Sequence, residues 1–323
     1  MQSFPFGPGD EVVIGDLEHV SVLIPVLGLQ SRGVHIRLVP SDGLMLTAEA
    51  LIDALTEKTR MVVVSLVQSS SGYLIDIKKL TDACRARGIY VVTDAIQALG
   101  FMDVDPAALG IDALAASAYK GLLGIEGVGF LWCSDELLPC LRPSMPGPNP
   151  LLTPNRQTGE LLLSDSMDAR KLECGTLPFG PIYALSAGLD RIEFIGIPAI
   201  EMHIRQCLSR ILAGIHALGI ATVPDEDRMC QSFLVCETDN AALTRYLAER
   251  NVYVSCGKPG FVRISVAPFT RSNDIDRLLS VLADWHRKGA NHADTCCRIC
   301  GNTSAADALY RPDAGCAQER VSR

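Results

Sequence analysis

The sequence predicts an α/β fold, a mainly parallel sheet flanked by helices with a smaller C-terminal α/β domain behind it. Three observations predict it. Apolar runs of strand length alternate with amphipathic stretches from the first residues onward, the rhythm of a doubly wound sheet. Two of those runs, Ile89 to Val92 and Ala113 to Ala116, are apolar throughout, as strands covered on both faces must be. A stretch rich in Pro and Gly, Arg142 to Asn155, then breaks the rhythm before a second, shorter alternation resumes.

In chain order, Glu11 to Ile14 reads as a strand, Val20 to Gln30 as a helix and Val34 to Val39 as a strand. Thr47 to Glu57 is a helix with Thr47 at its N-cap, where the hydroxyl can accept a bond from an orphan amide. Met61 to Leu66 is a continuous apolar strand, Ile77 to Arg87 an amphipathic helix, and Val128 to Cys133 a further strand after the two already named. Beyond the Pro-rich loop, Pro181 to Phe194 and Ile200 to Leu218 read as helices, the first a bridge between domains. The smaller unit then comprises strand Ser232 to Cys236, helix Ala241 to Arg250, strands Val252 to Ser255 and Val262 to Val266, and helix Ser272 to Arg287. The expected division is residues 1–180 for the large unit, 181–288 for the bridging helices and small unit, and 289–323 for a flexible, Cys-containing tail.

Composition narrows the function. The formal net charge of −8 disfavours nucleic acid as a partner, because neutralising phosphates needs a basic face. No apolar run is long enough to span a bilayer, and Val20 to Leu29 is interrupted by Pro25. The start has neither a basic region nor a leader-like apolar stretch, so a cytoplasmic protein is expected. Of the twelve cysteines, eight are scattered without framework spacing and read as small buried hydrophobes in a reducing compartment. Cys296, Cys297, Cys300 and Cys316 cluster in the tail, where Cys297 and Cys300 have half of a zinc-knuckle spacing that His292 or Cys296 would help to close.

The chemistry concentrates at two strand ends. Asp94 and Gln97 follow the first apolar run, and Ser117, Tyr119 and Lys120 follow the second, so all five project from carboxyl ends of strands in one sheet, the edge where open α/β sheets bind ligands. A carboxylate there can keep a pyridine nitrogen protonated, and a lysine amine can form a Schiff base with an aldehyde. Taken singly, Asp94 could cap a helix and Lys120 could be a solvated helix-end charge. Gly124 to Gly129 is glycine-rich but lacks the G-x-G-x-x-G order and precedes a strand, which argues against a dinucleotide fingerprint.

The runs Gly88-Ile89-Tyr90-Val91-Val92-Thr93-Asp94-Ala95-Ile96-Gln97 and Ser117-Ala118-Tyr119-Lys120-Gly121 resemble the class V aminotransferase family, which includes cysteine desulfurases, selenocysteine lyases and isopenicillin N epimerase-like enzymes. The resemblance covers Gly9 to about Ala283 and implies the fold type I of pyridoxal phosphate (PLP)-dependent transferases, acting on an amino acid as a homodimer. It implies that Lys120 forms the Schiff base and serves as general base, that Asp94 pairs with the pyridinium nitrogen, and that Gln97, on a helical turn, reaches the phenolic oxygen. Ser117 and Tyr119 match phosphate-binding positions, Tyr119 standing where desulfurases carry His. Glu18-His19 resembles a pair whose histidine stacks on the ring. Arg263 stands where the family holds the substrate carboxylate, and a planar guanidinium fork suits that task. Thr176, in Glu173-Cys174-Gly175-Thr176, matches a threonine that reaches the phosphate in the neighbouring subunit's site.

Two departures shape the expectation. No stretch before Gly9 resembles the family's Gly-Thr or Ala-Thr turn, whose helix end serves the phosphate, and the chain is expected to begin after it with weakened cofactor affinity. Ser69, in Gln68-Ser69-Ser70-Ser71-Gly72, replaces the desulfurase asparagine and aligns the chain with the epimerase-like and lyase-like branch. Desulfuration also needs a nucleophilic cysteine. Cys256 lies on a short turn with Lys258 nearby, but its flanks match neither desulfurase pattern. Transamination, epimerisation or C–S lyase chemistry is the expectation, with desulfuration or a catalytically impaired relative as the alternatives.

Overall fold

The computed structural model describes residues 1–41, 44–145, 152–154, 161–163 and 168–288. The tail and its expected zinc ligands, Cys297 and Cys300 with Cys296, Cys316 and His292, lie outside the described residues. Among the described residues no group of three or more His, Cys, Asp or Glu could hold a metal, and no helix is long and apolar enough to cross a membrane.

The first sheet has six strands: β1 (Glu11–Gly15), β2 (His35–Val39), β3 (Thr59–Ser65), β4 (Tyr90–Asp94), β5 (Ala113–Ser117) and β6 (Gly129–Cys133). They lie in the order β2-β1-β3-β4-β5-β6. All neighbours are parallel except β5 and β6. The antiparallel β6 departs from the simple βαβ rhythm. An eleven-residue connection runs from Ser117 back to Gly129 without a helix, too short for the crossover that a parallel partner needs.

The helices α1 (Val20–Leu27), α2 (Ala48–Asp53) and α3 (Ile77–Arg85) connect the early strands. Alternation along the strands splits the core between two faces. Val13, Val62 and Val64 join Leu51 and Leu80 on one face, while Val12, Ile14, Met61 and Val63 join Val22 and Val26 on the other. The α1 segment is shorter than its apolar pattern, because the chain tightens into a 3-10 turn at Gly28–Arg32 that Gly33 closes with φ 76°. Thr47 caps α2 as expected, accepting the Ala50 amide at 3.2 Å.

Two short strands, β7 (Leu152–Pro154), in the stretch expected as loop, and β8 (Leu161–Leu163), beyond it, form an antiparallel pair. Next come α4 (Phe179–Ile195) and α5 (Ile197–Ala217). The stripe Ile200, Ile204, Cys207, Leu208, Ile211, Leu212 and Ile215 along α5 has helical spacing and is buried against a second sheet. That sheet is antiparallel throughout and comprises β9 (Thr222–Val223), β10 (Ser232–Cys236), β11 (Ser255–Lys258) and β12 (Phe261–Ser265), in the order β11-β12-β10-β9. The helices α6 (Asn240–Ala248) and α7 (Ser272–Lys288) complete the layer. The strand expected at Val252 to Ser255 begins at Ser255 instead, where pairing with Arg263 closes a hairpin through Pro259 and Gly260.

Contacts between the two sheets' surroundings position the site. Leu99 and Phe101, just past β4, touch both major cores. Gly72 has φ 80°, and a Cβ there would lie 1.9 Å from the Ser232 carbonyl oxygen, so only glycine lets the turn after β3 approach β10 this closely.

Candidate active site

Four strand ends converge on one cavity of about 500 Å3. The residues after β1 give His19, the loop after β3 gives Ser69, the end of β4 gives Asp94 and Gln97, and the end of β5 gives Ser117, Tyr119 and Lys120. All seven line the cavity, and among the described residues Lys120 is the only lysine that does. Register explains the convergence: Ser65, the last residue of β3, pairs with Asp94, the last of β4, which pairs with Ala115 on β5, so β3 and β4 end at one level and β5 two residues beyond it.

Asp94 is mostly buried. Its Oδ1 accepts the Ile96 amide at 2.9 Å, and its other carboxylate oxygen has no hydrogen bond among the described residues. Burial pushes the carboxyl above its ordinary range, against the pull of the Ile96 amide, Lys120 and His19. Lys120 moves the other way. Burial lowers its pKa, Asp94 opposes the change and Arg263 reinforces it, so the amine is neutral at lower pH than a free lysine.

His19 caps α1 with its ring, Nδ1 accepting the Ser21 amide at 3.2 Å, which leaves the proton of the neutral ring on Nε2. Gln97 lies in a single helical turn that is not continued into a helix, in which the Ala98 and Leu99 amides both bond to the Ala95 carbonyl. Ser117 and Tyr119 are both exposed at the cavity mouth.

Arg263 reaches the site from β12. Its Nη1 donates to the carbonyl of Ser69, its Nε is buried without a partner among the described residues, and burial lowers its pKa. A guanidinium in that state favours an incoming carboxylate. Like Arg263, two further expected residues are not among those that line the cavity. Thr176 is exposed just before α4, and Cys256 is exposed on the β11 to β12 hairpin. Burial also lowers the pKa of Lys258, with Asp16 opposing.

Three polar residues of this region gave no separate signal in the sequence. Glu18 is buried behind the cavity, its Oε1 accepting the Ser65 amide at 2.8 Å and its Oε2 the Ser65 hydroxyl. Burial pushes its pKa up to about 7, with the Asp94 charge adding to the rise. Gln231 donates to the Gln97 side chain at 2.9 Å. The Thr93 hydroxyl is buried at the cavity wall without a partner among the described residues. Only the Glu18-His19 pairing hinted at the first, and nothing local marks a contact between residues 134 positions apart.

Strand ends that gather a mostly buried carboxylate, a half-buried lysine and an imidazole around one cavity present the groups that an aldehyde-bearing pyridine cofactor calls for. The aminotransferase class-V profile matches residues 1–278, and the chain belongs to that family, whose cofactor is PLP. A probable cysteine desulfurase of Methanothermobacter thermautotrophicus is 36% identical over 199 residues, covering 61% of this chain and 49% of the relative. The chain thus spans about half the length of that relative. The isopenicillin N epimerase of Streptomyces clavuligerus is 32% identical over 271 residues, 79% of this chain and 67% of the relative. Among solved structures, an apo cysteine desulfurase from Thermococcus onnurineus NA1 has a TM-score of 0.76 at 22% identity, covering 88% of this chain and 74% of the other. The cystine C-S lyase C-DES, solved with its product cysteine persulfide, has a TM-score of 0.78 at 22% identity, covering 87% and 77%. These likenesses are in fold.

Proposed function

We propose that the chain is a PLP-dependent enzyme acting on a free amino acid, and that its reaction is of the transamination, epimerisation or C–S lyase type. The observation that carries this reading is the placement of Asp94 and Lys120 on the walls of one cavity, with Arg263 beside it at Ser69. The residues fit the cofactor: an unpaired carboxylate oxygen for the pyridine nitrogen, an amine of lowered basicity for the aldehyde, and hydroxyls of Ser117 and Tyr119 for the phosphate. When bound, PLP supplies an electron sink for the bond broken at the substrate α-carbon.

The chain's own residues do the rest. Asp94 holds a proton at the pyridine nitrogen, His19 covers the ring, and Arg263 orients the substrate carboxylate. Lys120 anchors the cofactor and moves a proton at the α-carbon. Residues 1–180 carry the cofactor, residues 181–288 bring the substrate carboxylate's partner, and Thr176 serves the site of a second copy. A homodimer accounts for the exposed Leu123, Ile125, Phe179 and Tyr183, which are apolar and flank the contact between Leu122–Leu123 and α4. A cytoplasmic location accords with this chemistry. Desulfuration, the activity named for several relatives, would require Cys256 to travel from its hairpin into the cavity, and the elimination and epimerisation chemistries need no such movement.

The test uses PLP-loaded protein and a panel of L- and D-amino acids in deuterated water. Exchange of the α-hydrogen is expected for at least one of them. Replacing Arg263 with Leu should weaken apparent amino-acid affinity about 10–100-fold, as loss of a charge-assisted contact implies, while leaving cofactor loading intact. Absence of exchange across the panel, with the cofactor bound, would reject an amino-acid substrate.

A further inference from the structure

Gln231 ends the turn before β10 and donates its Nε2 to the Oε1 of Gln97 at 2.9 Å, with both side chains buried. The neighbouring Cys230 thiol, pushed up to about 12 by burial and therefore protonated, donates to the Gln97 carbonyl at 3.7 Å. Gln231 is itself held, because its carbonyl accepts the Val266 amide at 2.7 Å. Gln97 is therefore gripped through main chain and side chain by two consecutive residues of the second sheet's edge.

An amide has two ends with opposite hydrogen-bonding character, and this grip uses only the acceptor end. The Oε1 of Gln231 is buried with no partner among the described residues. Exchanging oxygen and nitrogen in both side chains would instead bury the two N–H donors of Gln231 unpaired. Buried donors without partners are the rarer and costlier case. The bond is thus polarised in one direction, and Gln97 lines the cavity with its NH2 end left to donate.

We propose that Gln231 is a positioning residue that locks the Gln97 amide so that its NH2, rather than its oxygen, meets the cavity, which selects a ligand with an anionic ring oxygen at that point. The inference rests on the PLP reading, where the phenolic oxygen supplies that anion. It assigns a function to a residue that touches neither cofactor nor substrate.

The experiment is a pH titration of the visible band of bound PLP. The ring oxygen carries the most negative charge once the Lys120 nitrogen beside it has lost its proton, and a donor to that oxygen favours the deprotonated form. Gln231→Met keeps volume but frees the Gln97 amide. Gln231→Glu offers Gln97 only an acceptor and turns its oxygen toward the cavity. The pH midpoint of the band should rise in both, by about one pH unit in Gln231→Glu, the scale of a hydrogen bond to a charged group. His19, Asp94, Tyr119, Lys120, Glu18 and Arg263, the titratable groups around the cavity, stay unchanged. In a Gln97→Leu background the Gln231 replacements should add nothing, since residues acting through one contact are not additive. A retained band with an unmoved midpoint in both variants overturns the proposal, as does the same rise with Gln97 already removed. A wild-type protein that takes up no PLP at all would instead overturn the cofactor reading itself, and with it this one.

Discussion

Replacing Lys120 with Ala should eliminate covalent capture of PLP and lower turnover by at least about 10²–10⁴-fold, the range a positioned general base contributes. The expectation follows from geometry. Among the described residues Lys120 is the only lysine on the cavity wall, so no second one there can take over its bond to the aldehyde. Burial gives it a larger neutral fraction at a given pH than a free lysine has, and Asp94 opposes that shift without cancelling it. The rate of covalent capture should therefore rise with pH along a curve displaced to lower pH than that of free lysine. Lys120→Arg should fail equally, because a guanidinium retains its charge and offers no nucleophile. Far-ultraviolet dichroism should match the wild type in both variants, since Lys120 makes no hydrogen bond that holds an element together among the described residues. Adduct formation in Lys120→Ala would contradict the assignment.

The second large effect concerns Glu18 and appears in stability. Its folded-state pKa is pushed up to about 7 from an ordinary 4.5, so between those values the folded chain binds more protons than the unfolded chain. Stability from this group is present at low pH and declines as pH rises through that window, the reverse of a salt-bridged carboxylate. A displacement of this size corresponds to roughly 3 kcal/mol once the pH exceeds about 7. Glu18→Gln keeps an oxygen for the Ser65 amide and places an N–H donor at the Ser65 hydroxyl, with no charge to desolvate. Urea denaturation should find the variant equal to wild type near about pH 4.5 and more stable by on the order of 3 kcal/mol near about pH 8. A difference that does not change with pH would show that burial of the Glu18 charge is not the cause.

The sequence made some of this legible and hid the rest for identifiable reasons. Strands β4 and β5 are mainly apolar, and their last residues, Asp94 and Ser117, mark the ends where a parallel sheet exposes ligand groups. Strand direction is not encoded in such a run, so the antiparallel β6 and the helix-free return to it became visible only in the structure. Val252 and Val254 extend an apolar alternation that suggests a strand, yet pairing waits until Ser255, because the hairpin register is set by its turn. Gln97 was readable as a polar residue three positions after Asp94, on a single turn closed by the Leu99 amide and the Ala95 carbonyl. The amide bond from Gln231 spans 134 positions and has no local signature. Glu18 carries no sign in its own neighbourhood that it is buried, because that follows from how β1 sits beside β3.

Most of the account depends on whether this particular cavity holds PLP on Lys120, and reduction of the loaded protein asks that directly. Purified protein mixed with PLP, treated with borohydride, digested and mapped by mass spectrometry should carry one pyridoxyl group, on the peptide containing Tyr119, Lys120 and Gly121. A colourless protein without the adduct, or an adduct spread over surface lysines and unchanged in Lys120→Ala, would contradict the account.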